Sequence, residues 1–302
     1  MDKLCIDFQK KFVSKLIYDD SIFASIDPSV KLHDETKGNL LSSAASCLNV
    51  LGAQAHKPQE LMEFLNSFGL NIETILEFPL GANVEGRVYN DRGFAIFEWI
   101  GPQVSPLNEV GGGRGQNRTS VDAFIIAQID GKITQILIEW KFTEGKSRPL
   151  TMMKFSGTAG LERLRRYSNI LAKWRGTDAF PFNFERDKGL GLADFSVDHL
   201  YQLLRMTLLA KTTLEIQIGD YKIEDYRIVH LSHSANYQID ILYDKYLVYS
   251  PGLQEYTGKR LYDAWSDILS GPEKAKFIGG HWDTAIQVIK DDRLRQYLNK
   301  RY

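Results

Sequence analysis

The hydrophobic period of the chain changes near residue 72. Before that point apolar positions recur every three or four residues, the spacing of one helix face. Residues 6–25 place Phe8, Phe12, Leu16 and Phe23 roughly on one side. From Asn39 to Leu51, Leu40, Leu41, Ala44, Ala45, Leu48 and Leu51 make an apolar stripe that Gly52 is placed to end. The segment PQELMEFLNSFGL has proline at its start and Gly69 near its end, the asymmetry of a complete helix. Residues 1–70 therefore predict a helical layer.

Beyond residue 72 the period falls to two. Residues 72–78, 83–89, 94–100, 121–129 and 133–142 read as strands, the last two rich in β-branched and aromatic side chains. Helical spacing returns at 160–174 and 198–211, a strand follows at 226–232, and residues 240–302 read mostly as helix. On helix 160–174 the apolar positions Leu161, Leu164, Leu171 and Trp174 are expected to face the core. The order predicts one α/β domain over residues 1–302, a mixed β-sheet flanked by helices. Its core is expected near 72–232, with helical elaborations at both ends, 1–70 and 240–302.

Composition adds little. The 302 residues are 43% hydrophobic and 25% charged, enough to bury a sizeable core. Cys5 and Cys47 are far apart and form no metal-ligand spacing, which suggests a reducing compartment. The opening MDKLCIDFQKKF puts charges where a signal peptide needs an apolar run, and no stretch approaches the ~20 apolar residues of a membrane span. A soluble, cytoplasmic protein without a membrane partner is expected.

The net charge of −1 does not announce a nucleic-acid binder, but its distribution is uneven. Residues 146–175 hold eight basic side chains against the single acid Glu162. On helix 160–174, Arg165, Arg166 and Lys173 point mostly outward, either as a solvated face or as contacts for DNA phosphates.

The informative segment is TSVDAFIIAQIDGKITQILIEWKF, residues 119–142. Asp130-Gly131 between two apolar strands is a strong hairpin signal. A tight turn there makes Ile129 face Lys132, and every cross-strand pair then adds up to 261. Asp122 and Glu139 add up to 261. They should stand opposite each other on one face with Cβ atoms about 5 Å apart. Lys141 shares that face. Two opposed carboxylates repel, and apolar surroundings raise the cost. A divalent cation between them would turn the conflict into a site, because Mg²⁺ is usually held by one or two carboxylates with waters and phosphate. An ordinary surface patch is the alternative reading of the same three residues.

Asp122 followed by Glu139-Trp140-Lys141 at the end of an apolar strand resembles the D…E-x-K signature of the PD-(D/E)XK nuclease superfamily. The longer string GGGRGQNRTSVDAFI…ILIEWKFTE, with NLLSSAASCLNVLG upstream, resembles a bacterial family of predicted restriction endonucleases within it. The likeness extends over most of residues 39–235, including YQLLRMTLLA and YRIVHLS. It implies a restriction-endonuclease-like core, Mg²⁺ or Mn²⁺ as cofactor, DNA as substrate, a homodimer that cuts both strands, and a bacterial defence setting. It implies that Asp122 and Glu139 bind the metal with the Trp140 carbonyl, and that Lys141 is the catalytic lysine. Val121 stands where the superfamily usually has proline, and residues 39–51 lack the glutamate that many members carry on the helix before the strands.

Glu98 is the candidate for that vacant role. In FAIFEWI it shares a face with Phe94, Ile96 and Ile100 and interrupts an apolar row, which calls for a metal or a basic partner. Gly111-Gly112-Gly113-Arg114-Gly115 lacks the G-K-[ST] of a phosphate-cradling loop and reads as a flexible loop beside the substrate. Arg114, Gln116, Asn117 and Arg118 lead from it to Asp122 and are candidate phosphate contacts, with Arg165 and Arg166. His230 and His233 have H-x-x-H spacing, which a strand does not bring to one face; they read as structural. The competing functional class is an inactive nucleic-acid-binding or interaction protein on the same fold.

Overall fold

The computed structural model describes residues 17–19, 22, 41–79, 83–84, 87–88, 93–110, 118–143, 153–184, 189–243, 247 and 250–302. Most of the predicted helix 6–25 and the glycine segment 111–117, with Arg114, Gln116 and Asn117, lie outside them. A six-stranded mixed sheet is built from β1 (Thr74–Leu76), β2 (Ile96–Trp99), β3 (Val121–Ile129), β4 (Lys132–Trp140), β5 (Asp225–Ser232) and β6 (Phe277–His281). The fold is of the α/β class and consistent with a restriction-endonuclease-like core.

The β3–β4 hairpin is its centre. Asp130 and Gly131 both adopt left-handed backbone, φ 51° and 70°, as a two-residue turn of this twist requires. The register runs from Ile129 opposite Lys132 to Ala123 opposite Ile138, the pairing that the turn predicts. β1 and β2 lie end to end along the free edge of β3, β1 against residues 126–128 and β2 against 121–124, both antiparallel. On the other side β4 pairs in parallel with β5, and β5 in parallel with β6.

Both sheet faces are buried, which is why β3 and β4 read as nearly continuous apolar runs. Ala123, Ile125, Ile136, Ile138, Trp140 and Leu231 share one core with α1 (Ser43–Val50), α2 (Pro58–Asn66) and the last helix. Phe124, Ile126, Leu137 and Ile228 share the other with α3 (Gly157–Leu171), α4 (Asp198–Thr212) and α5 (Leu261–Ile268). The last helix is α6 (Asp292–Arg301). Among the described residues no helix is long and apolar enough to cross a membrane.

Two expectations are corrected. The segment 83–89 does not add a strand to the main sheet: among the described residues, Asn83–Val84 and Arg87–Val88 pair with each other instead. On α3, Leu171 is buried as expected, but Leu161 is 63% exposed, and Tyr167 and Ile170 turn inward in its place. The C-terminal part, expected to be mostly helical, also contributes a sheet strand, β6. The sequence FIGGH gives a weak strand signal because two glycines dilute it. Close packing requires them: a Cβ on Gly279 would collide with the Tyr262 ring, and one on Gly280 with Phe68.

Candidate functional site

The β3–β4 ladder ends at Ala123 and Ile138, one pair short of Asp122 and Glu139. There the backbone pairing gives way to a side chain. Asp122 Oδ2 accepts the Trp140 N–H at 2.6 Å. A β3 carbonyl would take that donor if the ladder continued. Glu139 Oε1 is ion-paired with Lys141 Nζ, and both side chains are buried. The structure thus gathers the three predicted residues where the hairpin opens.

Like charges crowd each other there. Burial pushes the Asp122 carboxyl well above the usual carboxylate range, and the charges of Glu139 and Glu98 push it further. The Lys141 ammonium and the Trp140 N–H oppose that shift. Among the described residues, Asp122, Glu139 and Glu98 converge near Lys141.

Glu98 reaches this place by a backbone irregularity. Its φ of 57° lies in the left-handed region, inside strand β2. The pairs Phe97–Ala123 and Trp99–Val121 bracket it opposite Asp122. The expectation that Glu98 shares a face with Ile96 is therefore corrected: the kink breaks the alternation, so Ile96 and Trp99 enter one core while Phe97 enters the other. Glu98 and Asp122 instead line a cavity of about 10 Å³ with Phe97 and with Ala44, Cys47 and Leu48 of α1. That volume suits about one water-sized body. Non-glycine residues in this region cost on the order of 1–3 kcal/mol and persist only where the surroundings impose them.

Helix α1 carries no acid, yet it fixes the strand end. Ser46 Oγ accepts the Trp140 indole N–H at 2.8 Å, and Ser43 Oγ accepts the Phe142 N–H at 2.9 Å. From elsewhere, the Trp282 indole donates to the Lys141 carbonyl at 2.9 Å and the Asn236 amide to that of Phe142 at 2.7 Å. Residues 140–142 are held from both sides. Cys47 faces the carboxylates as a neutral thiol, its pKa raised by burial and by Asp122, Glu98 and Glu139.

His230, expected to be structural, lies in this neighbourhood. Parallel pairing sets it beside Glu139. Its Nδ1 lies 3.4 Å from the Tyr262 hydroxyl, and its buried Nε2 has no hydrogen-bond partner among the described residues. Burial, then Lys141 and His199, depress its pKa well below the usual histidine value, so the ring is neutral. The sequence offered only the H-x-x-H spacing, which is uninformative without the β4–β5 pairing. His233 is structural: its Nδ1 accepts the Ala235 N–H at 3.1 Å and its ring packs edge-on against Trp282.

The candidate phosphate contacts separate. Arg118 is buried and donates to the carbonyls of Ile100 at 3.2 Å, Gln103 at 2.9 Å and Pro102, so its guanidinium is committed to the backbone. Glu109 works with it, accepting from Thr119 N at 2.6 Å, Thr119 Oγ1 at 2.8 Å and the Tyr167 hydroxyl at 3.0 Å. Glu109 and Thr119 thereby clasp the feet of the segment between them. Arg165 is exposed and paired with Glu162 at 3.0 Å, while Arg166 opens onto a cleft beyond α3.

Among the described residues no three His, Cys, Asp or Glu side chains form a ready-made ligand set. Magnesium does not require one, since it keeps several waters and takes one or two carboxylates plus a substrate phosphate. Asp122 and Glu139, with Glu98 adjoining Asp122, are hard oxygen donors. That donor set fits a hard divalent cation.

A family of proteins described as "Restriction Endonuclease associating with ARP" matches residues 19–302. No curated protein and no solved structure matches the chain.

Proposed function

The chain belongs to this restriction endonuclease family, which makes its function of nuclease type, and on that premise we propose that it is a metal-dependent endonuclease hydrolysing phosphodiester bonds of DNA. The observation that carries the reading is the convergence of Asp122, Glu139 and Lys141 at the opened end of the β3–β4 hairpin. Asp122 and Glu139 would hold Mg²⁺ or Mn²⁺, with the Trp140 carbonyl and Glu98 as further oxygen donors. The ion would supply Lewis acidity and hydroxide near neutral pH.

The chain's own groups do the rest. Glu139 orients the Lys141 ammonium in a dry setting, where a fixed charge is worth more than in water. From there Lys141 orients the attacking water and stabilises charge building on the phosphate. The Trp140 N–H holds one Asp122 oxygen, which fixes the direction of the other. Arg166, with Arg114, Gln116 and Asn117, contacts the substrate backbone. Arg118 is left out of that set because its guanidinium is engaged by three carbonyls. The proposal extends to a homodimer and to association with ARP in a bacterial defence setting.

Supercoiled plasmid incubated with Mg²⁺, Mn²⁺ or EDTA tests the reading. Nicking that needs the metal supports it. Retained DNA binding without nicking in either metal would leave a binding protein on a nuclease fold.

A further inference from the structure

Beyond α3 lies a cleft of about 440 Å³ lined by the cations Lys154, Arg163, Arg166 and Arg205 and by the acids Glu109 and Glu162. Two of these cations are neutralised in place: Lys154 meets Asp198 at 2.9 Å, and Arg205 meets Glu109 at 3.4 Å. The other two are not. Arg163 donates to the Lys154 carbonyl at 2.9 Å, and neither it nor Arg166 pairs with a carboxylate among the described residues. Glu162, the nearest acid along the helix, is held by Arg165 at 3.0 Å. Arg163 and Arg166 stand one turn apart, a spacing at which like charges repel.

The helix adds to the same potential. Ala159, in the first turn of α3, lines the cleft. That turn holds no acid, and the N-cap Ser156 makes no side-chain capping bond. Its unsatisfied N–H groups favour an anion. The cleft also borders the candidate centre. Arg205 Nε donates to Thr119 Oγ1 at 2.8 Å, three residues before Asp122, and the Glu139 charge is among those favouring its charged form.

We propose that this cleft binds the phosphate backbone of the DNA substrate, with Arg163 and Arg166 gripping phosphates next to the one at the carboxylate centre. Guanidinium forks suit phosphate oxygens, and a bound phosphate removes the repulsion between the two arginines. The choice of ligand rests on the nuclease reading; the geometry does not.

The test is anisotropy of a fluorescein-labelled DNA duplex with the full chain in EDTA, so that cleavage does not intervene, over a range of salt. The double variant Arg163→Gln/Arg166→Gln is compared with Lys222→Gln, which removes an exposed cation outside the cleft. The double variant should bind roughly tenfold or more weakly, and the slope of log affinity against log salt should fall by about two. Lys222→Gln should bind as wild type. Unchanged binding by the double variant, equal weakening in the control, or no binding by wild type would overturn the proposal. Wild type that binds through these arginines but never cleaves would sink the nuclease reading and leave the cleft standing. Metal-dependent cleavage with binding indifferent to both arginines would do the reverse.

Discussion

Asp122 and Trp140 are joined by a hydrogen bond in which a carboxylate replaces a strand carbonyl, 2.6 Å from Oδ2 to the backbone N. The bond converts the end of a hairpin into the wall of a charged site. It holds Asp122 beside Glu139 and Glu98 despite their repulsion, and burial makes that repulsion costly. A chain that accepts such a conflict gains from whatever relieves it.

Replacing Asp122 by Asn keeps a carbonyl oxygen for the Trp140 N–H and removes one of the crowded charges. In EDTA the variant should therefore be more stable than wild type, by on the order of 1 kcal/mol. Added Mg²⁺ should reverse the order by stabilising only the wild type, by about 2.7 kcal/mol at one hundred times its dissociation constant. Thermal melting with and without Mg²⁺ reads both effects. No response of the wild type to Mg²⁺ would count against a metal site.

Glu98→Gly removes a side chain from a left-handed position and one donor from the cavity beside Asp122. The variant should gain about 1 kcal/mol in metal-free buffer, the cost of holding a non-glycine residue there. Calorimetric titration with Mn²⁺ should show weaker binding. A stability gain with unchanged Mn²⁺ affinity would remove Glu98 from the ligands.

Ser46→Ala leaves the buried Trp140 indole N–H without its acceptor. Such an orphan costs about 1–3 kcal/mol, which should appear as a lower midpoint in urea unfolding. Activity per folded molecule should also fall, because Trp140 lies between Glu139 and Lys141.

The N-cap of α6 supplies a pH dependence remote from the site. Bonds from the Leu294 and Arg293 N–H groups and from Lys57 hold the Asp291 carboxyl below its usual pKa. A depressed carboxylate contributes stability that is present above its unfolded pKa of about 3.9 and is lost as pH falls through the lower folded value. Asp291→Ala should cost about 1 kcal/mol near neutral pH, and the difference from wild type should shrink as acid titrates the group. A cost independent of pH down to the acid transition would show that the cap works through shape rather than charge.

The hairpin was legible in the sequence because a turn of fixed length makes register a matter of counting. Asp130-Gly131 therefore places Asp122, Glu139 and Lys141 together on counting alone. Features set by distant neighbours were not legible. Nothing local marks Glu98 for left-handed backbone, and FIGGH becomes a strand only because β5 and the Tyr262 ring accept its glycines. Arg118 has the sequence setting of a phosphate contact, but the carbonyls of residues 100, 102 and 103 surround its guanidinium. His230 needed the parallel partner of β4 to be known. Sequence patterns report what a residue prefers; these four cases depend on what another part of the chain brings alongside.

The most direct measurement is the rate of supercoiled-plasmid nicking by wild type and by Lys141→Ala in Mg²⁺, with Mn²⁺ affinity measured on both. Lys141 is proposed to act on water and phosphate rather than on the metal. Its loss should slow nicking by about 10²-fold or more while Mn²⁺ binding persists. Nicking by the variant at the wild-type rate, or nicking by wild type undiminished in EDTA, would contradict the assignment of this centre.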